Sequence, residues 1–196
     1  MREPLPLATI HEAVLEFLRG RTDIAVFGAT AVNAYVDEPR MTQEIDLMST
    51  RAVELAEELR AHLTDLFHIA VRVRTVRGGK GFRLFQMQKT GNRHLVDVRS
   101  VHSLPQTQII DGVQVLAPAE LIASKVVSHY RRRGKSKSWT DRRDLVVLLL
   151  AFPGLKADPG PVTECLERSP DNKGALALWR ELVAQELAPE SEEDDF

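Results

Sequence analysis

The chain has a single cysteine, Cys165, so no internal disulfide is possible, which fits a reducing compartment. It has no CxxC and no HxxxH. Its six histidines are scattered, and that argues against a structural zinc site. It also lacks a long apolar run. The longest, LVVLLLAF at 145–152, is far too short to span a bilayer, and the opening MREPLPLATI lacks the apolar core of a signal peptide. The expectation is a cytoplasmic protein with no membrane partner. There is no internal repeat and no GxGxxG, which speaks against a dinucleotide fold. Nor does one sign of charge dominate. With 26 basic and 28 acidic residues the net charge is −2, so the overall balance does not point to nucleic acid.

What is present is enough for a core. The 196 residues are 43% hydrophobic, which suits one ordinary globular domain, with or without a small appendage. The distribution of charge is uneven. Residues 124–143 carry eight basic side chains against Asp141 alone, a local charge of +7. Residues 190–195 carry five acids and no base, which reads as a disordered acidic tail at 189–196.

The pattern predicts a helix at 9–20, with Thr9 and Glu12 as a capping box and Gly20 as the stop. A buried strand follows at 24–27, then a helix opening at Gly28, a strand at 44–49, and an amphipathic helix at 50–63 capped by Thr50. Three strand-like runs form a meander: 68–76, 82–88 and 93–100. A small hairpin turns at Asp111-Gly112. After Pro118 the pattern is helical, at 118–133, 140–152, 161–169 and 173–187. The class is therefore α+β, a mixed β-sheet flanked by helices. We divide the chain at 1–117 for the α/β core, 118–188 for the helical C-terminal region, and the tail.

Glu44 and Asp46 flank Ile45 in an apolar run, and alternate residues of a strand point the same way. Two adjacent carboxylates repel, and in the absence of a cation at least one should have a raised pKa. Asp97, between Val96 and Val98 in a predicted strand, is the third acid. Three acids on two neighbouring strands can hold one or two Mg²⁺ ions through oxygen ligands, as phosphoryl and nucleotidyl transfer require. Gly28 follows a strand and opens a helix, where a missing side chain lets a phosphate approach the backbone. The plain reading is a solvated strand end, with Arg40 or Arg99 pairing one acid. His94 and His129 read as packing residues without a role.

These pieces resemble the nucleotidyltransferase superfamily related to DNA polymerase beta, and most closely the AbiEii-type abortive-infection toxins. The resemblance rests on Phe27-Gly28-Ala29-Thr30, on Arg40-Met41-Thr42-Gln43-Glu44-Ile45-Asp46, on Asp97, on Lys125, and on Asp141 with Asp144. It runs from about residue 24 to about 150. Ala29 stands where the family has Gly or Ser, and Glu44 where Asp is commoner.

The resemblance implies a nucleotidyltransferase-like fold that transfers a nucleoside monophosphate from an NTP to an acceptor hydroxyl, with Mg²⁺ or Mn²⁺ as cofactor. Glu44, Asp46 and Asp97 would be the catalytic residues and metal ligands. Gly28, Ala29, Thr30, Arg40, Thr42, Lys125 and Asp141 would contact the nucleotide. Arg131, Arg132 and Arg133 would bind an acceptor, whether RNA, protein or a small molecule, and a cognate antitoxin is an expected partner. The alternative is a catalytically lapsed nucleotide- or RNA-binding module of the same fold.

Overall fold

Several short β-branched and apolar runs, the first of them separated by helical segments, leave the chain one economical arrangement, a central sheet. The computed structural model describes residues 5–169 and 173–187. The expected tail at 189–196 lies outside them. Among the described residues the chain falls into two compact units. One lies within Met1–Ala34 and Pro39–Leu116, the other within Tyr35–Glu38 and Ala117–Phe196.

The first unit holds α1 (Leu7–Leu18), β1 (Ile24–Phe27), α2 (Gly28–Asn33), β2 (Ile45–Ser49), α3 (Ala52–Phe67), β3 (Val71–Val76), β4 (Gly81–Gln86), β5 (Arg93–Ser100), β6 (Thr107–Ile110) and β7 (Val113–Leu116). The seven strands form one mixed sheet in the order β3-β4-β5-β2-β1-β7-β6. β2 runs parallel to β5 and antiparallel to β1. Strand alternation sorts the two faces. Leu84, Val96 and Ile45 lie in register and are fully buried, whereas Arg83, Asp97 and Asp46 occupy the next register row and the opposite face. α3 buries Ala52, Leu55, Ala56, Leu59 and Leu63, one apolar stripe at helical spacing, and packs on β2, β3, β4 and β5.

Both expected caps differ. α1 starts at Leu7 behind Pro6, so Thr9 is already inside the helix and no capping box forms. At α3 the hydroxyl of Ser49, rather than Thr50, accepts from the Arg51 amide at 3.0 Å.

A charge cluster ties the end of α1 to α3. Arg21 donates to Asp23 at 3.0 and 2.9 Å and to Glu58 at 2.7 Å. The hydrogen bond from Arg21 outweighs burial and holds the Asp23 carboxyl below its usual range. A carboxylate whose folded pKa is lowered adds stability above its unfolded value, and that stability is lost as pH falls through the folded one. Acid titration of unfolding free energy should therefore show a drop below about pH 4 that Asp23→Asn shrinks. An unchanged slope in the variant would remove Asp23 from the account.

The second unit is helical: α4 (Pro118–Arg131), α5 (Ser136–Ala151), α6 (Pro161–Glu167) and α7 (Lys173–Ala184). α4 is its centre and packs on the other three. Trp179 of α7 is fully buried and donates to Thr163 of α6. Gly174 lies against the Tyr130 ring, where a Cβ would come within 2.0 Å of a ring carbon. α5 begins four residues earlier than the sequence suggests, at Ser136. Asp141 and Asp144 are therefore helix-interior residues and not N-terminal acids favoured by the dipole.

Candidate active site

Asp46 and Asp97 are direct partners across the parallel β2–β5 pair. Registered neighbours in a sheet point to the same side, so both carboxylates share one face. The register row continues in both directions. It reads Arg74, Arg83, Asp97, Asp46, Phe27 across β3, β4, β5, β2 and β1. Two cations stand beside two anions.

Gly28 fixes the position of Asp46. Its φ is +69°, and a Cβ built there would sit 2.0 Å from Asp46 Oδ2. The space above the Gly28 backbone is thus filled by the Asp46 carboxylate, not left open for a phosphate. Two residues on, Thr30 Oγ1 is buried without a hydrogen-bond partner. Ala29 lies between them, half-buried. Asn33 holds the chain that leads into β2, with its side-chain amide bonded to both the N–H and the C=O of Arg40 at 3.0 and 2.7 Å. Thr42 is half-buried in that loop.

Asp97 is heavily engaged. Arg83 Nε donates to its Oδ1 at 2.9 Å, and His94 Nε2 lies 3.1 Å from the same oxygen. His94 is three residues from Asp97, a spacing that places side chains on opposite faces of a regular strand. A bulge makes the contact. The β4–β5 register shifts between Leu84 and Phe85, which pairs Phe85 with His94 and turns the imidazole onto the face of Asp97. Phe85 stacks on the ring at 4.9 Å.

The pKa directions follow from this packing. Burial would raise Asp97, but the His94 hydrogen bond and the His94 and Arg83 charges outweigh it and hold the carboxyl below its usual range. The bond to Asp97 raises His94 against the effect of burial. The expectation that repulsion would raise an acid fails at Asp97, because basic neighbours surround it.

A cleft on this face is lined by Phe27, Asp46, Arg83, Asp97 and Arg99, with Arg77, Lys80 and Phe82 at its β3–β4 side. Arg99 stacks on Phe27 at 4.7 Å. Glu44 does not line the cleft. It lies in the bend before β2, where strand alternation does not yet apply, and its charge acts on His11 and His94. Among the described residues no three carboxylate, His or Cys side chains converge as a three-ligand metal site needs. The expected cluster of Glu44, Asp46 and Asp97 therefore reduces to a pair. That pair still suits Mg²⁺, a hard cation that one or two carboxylates hold alongside water and substrate phosphates.

The remaining expected residues belong to the helical unit. Lys125 is buried, with its ammonium 2.6 Å from Asp144 and 3.8 Å from Asp141. Its charge is compensated internally. Arg132 pairs with Asp141 at 2.9 Å, and Arg133 stacks on Tyr130. Arg131, Arg132 and Arg133 are exposed. His129 Nδ1 lies 2.8 Å from the hydroxyl of buried Ser138. His94, Arg83, Arg77 and Lys80 were not legible as site residues. The alternating arginines of β3 were visible as a pattern, but what they faced was not.

No described helix is long and apolar enough to cross a membrane. No curated protein sequence matches the chain significantly. Solved structures share its fold at low identity. The Megavirus polyadenylate synthase aligns with a TM-score of 0.62 at 18% identity, over 78% of this chain and 32% of that one. JHP933 from Helicobacter pylori aligns at 0.55 and 12% identity, over 90% and 89%. ANT(2")-Ia in complex with adenylyl-2"-tobramycin aligns at 0.54 and 16% identity, over 83% and 95%. The family model described as "Nucleotidyl transferase AbiEii toxin, Type IV TA system" matches residues 13–195. An acid pair in register beside a glycine that seats one of its members, on a fold shared with these solved structures, is thus found in a chain that belongs to the AbiEii nucleotidyltransferase family.

Proposed function

We propose that the protein transfers a nucleoside monophosphate from an NTP to an acceptor hydroxyl, with a divalent cation held by Asp46 and Asp97. The observation that carries this reading is their pairing across β2 and β5, with Gly28 making room for the Asp46 carboxylate. A bound Mg²⁺ supplies Lewis-acid polarisation of the phosphoryl oxygens. The bond formed joins the acceptor oxygen to the α-phosphorus, and the bond broken releases pyrophosphate. Asp97 stays ionised under the charges of Arg83 and His94 and takes the proton that the attacking hydroxyl loses. The exposed Arg131, Arg132 and Arg133 offer cations to an acceptor such as RNA. The family's description adds a toxic role and an antitoxin partner, which we carry to this chain as part of the same proposal.

Calorimetry tests the site. NTP binding by Asp46→Ala should weaken at least about tenfold in Mg²⁺ and stay within about twofold in EDTA, since the carboxylate acts toward the cation. Equal affinity of wild type and variant in Mg²⁺ would sink the assignment. A second reading has one observation in its favour: Glu44 stands outside the cleft. It holds that the chain binds nucleotide without turning it over. Incubation with each labelled NTP, Mg²⁺ and total cellular RNA or protein separates the two, because only the transferase labels an acceptor.

A further inference from the structure

The cleft holds more positive charge than its two acids require. Arg83 and His94 already contact Asp97. Arg99, stacked on Phe27, adds a further cation. Arg77 and Lys80 line the same cleft, are exposed, and among the described residues have no ion-pair partner. Outside the cleft lining, Arg74 stands directly opposite Arg83 across the β3–β4 pair and adds to the positive charge of this register row.

The turn between these strands brings the charges together. Arg77, Gly78 and Gly79 have φ of 54°, 62° and 89°, so three consecutive residues are left-handed. The tight reversal sets Arg77 and Lys80 three residues apart on one rim, with Arg83 on the strand that follows. Guanidinium groups offer paired donors to phosphate oxygens, and an ammonium adds a point charge.

We propose that Arg77, Lys80 and Arg83 form a phosphate-binding site on the β4 side of the Asp46–Asp97 pair. Its role in catalysis rests on the transfer reaction proposed above, although its existence does not. The phosphate belongs either to an acceptor strand or to the NTP and its pyrophosphate product, which present the same chemistry. A polycationic acceptor would meet like charge here.

The test uses the full chain in EDTA, so that no cation bridges probe and acids. The probes are a fluorescein-labelled ten-nucleotide oligouridylate, read by anisotropy, and inorganic pyrophosphate, read by calorimetry. Wild type should bind at least one of them at low salt. Arg77→Gln/Lys80→Gln should weaken that binding about tenfold or more. For the oligonucleotide it should also lower the log–log salt slope by about 1.4, roughly 0.7 for each contact to a single strand. Weakening confined to the oligonucleotide assigns the site to an acceptor phosphodiester. Weakening of pyrophosphate binding assigns it to the nucleotide. Both side chains are exposed, and an unchanged circular dichroism melt confirms that the variant is folded. The conservative Arg77→Lys/Lys80→Arg variant should retain most of the affinity. If neither probe binds wild type, or the double Gln variant binds as tightly, the site does not exist. Asp46→Ala keeps the two proposals apart, because it should spare anion binding in EDTA while it weakens NTP binding in Mg²⁺. Anion binding that persists while NTP binding proves independent of Asp46 would overturn the transfer reading and leave the phosphate site standing.

Discussion

Replacing Gly28 by alanine is expected to cut nucleotidyl transfer by about a hundredfold or more, the cost of displacing a reacting-centre group by roughly an ångström. The new methyl carbon would sit 2.0 Å from Asp46 Oδ2 and 2.8 Å from its carboxyl carbon. No real contact is that short, so the carboxylate must leave its register with Asp97 or the backbone must shift. Alanine at a φ of +69° also carries a conformational penalty of about 1–2 kcal/mol. Gly20 separates the two effects. Its φ is +72°, and a Cβ there meets nothing within 4 Å. Gly20→Ala should therefore lose similar stability in denaturant unfolding and keep full activity. The double variant Gly28→Ala/Asp46→Ala should regain part of the stability lost by Gly28→Ala and none of the activity. Wild-type turnover by Gly28→Ala would mean that the Asp46 carboxylate need not stay where the structure holds it.

This test also shows how far the sequence could be read. The pairing of Gly28 with a carboxylate-bearing strand was legible from FGAT and EIDL, because a glycine after a strand and an acid inside one are both local anomalies. The reason for the glycine was not legible. It depends on β1 lying antiparallel beside β2, a register that no local pattern announces. Asp97 could be found for the same reason as Asp46, as a charge in an apolar strand. Its partners could not. Arg83 meets it through strand register, and His94 through a bulge that no local pattern announces. Periodicity argued the opposite for His94, since a three-residue spacing puts side chains on opposite faces of a strand. Glu44 shows the converse, standing outside the cleft lining. Alternation from Asp46 put it on the site's face, but the strand starts one residue later, at Ile45. Helix boundaries misled likewise at Asp141 and Asp144, because most of the polar GKSKSW stretch, from Ser136 on, is helix.

Lys125 is where the two kinds of reading diverge most, and its replacement should have the largest effect on stability. The family resemblance makes it a nucleotide contact, whereas the structure places its ammonium 2.6 Å from Asp144 in the interior of the helical unit. Lys125 is 6% exposed and Asp144 fully buried. Removing one member of a buried pair costs about 3–5 kcal/mol. Lys125→Met should therefore unfold at much lower denaturant than wild type, with Asp141 still held by Arg132. Removing both charges has a different consequence, because a buried ion pair contributes little beyond an apolar pair of similar volume. Lys125→Met/Asp144→Leu should recover most of the loss. That double variant decides the role of the lysine. If the pair is structural, the variant folds and binds NTP with nearly wild-type affinity. If it folds and NTP affinity still falls tenfold or more, the ammonium contacts phosphate in the bound state, and the pairing with Asp144 describes only the ligand-free arrangement.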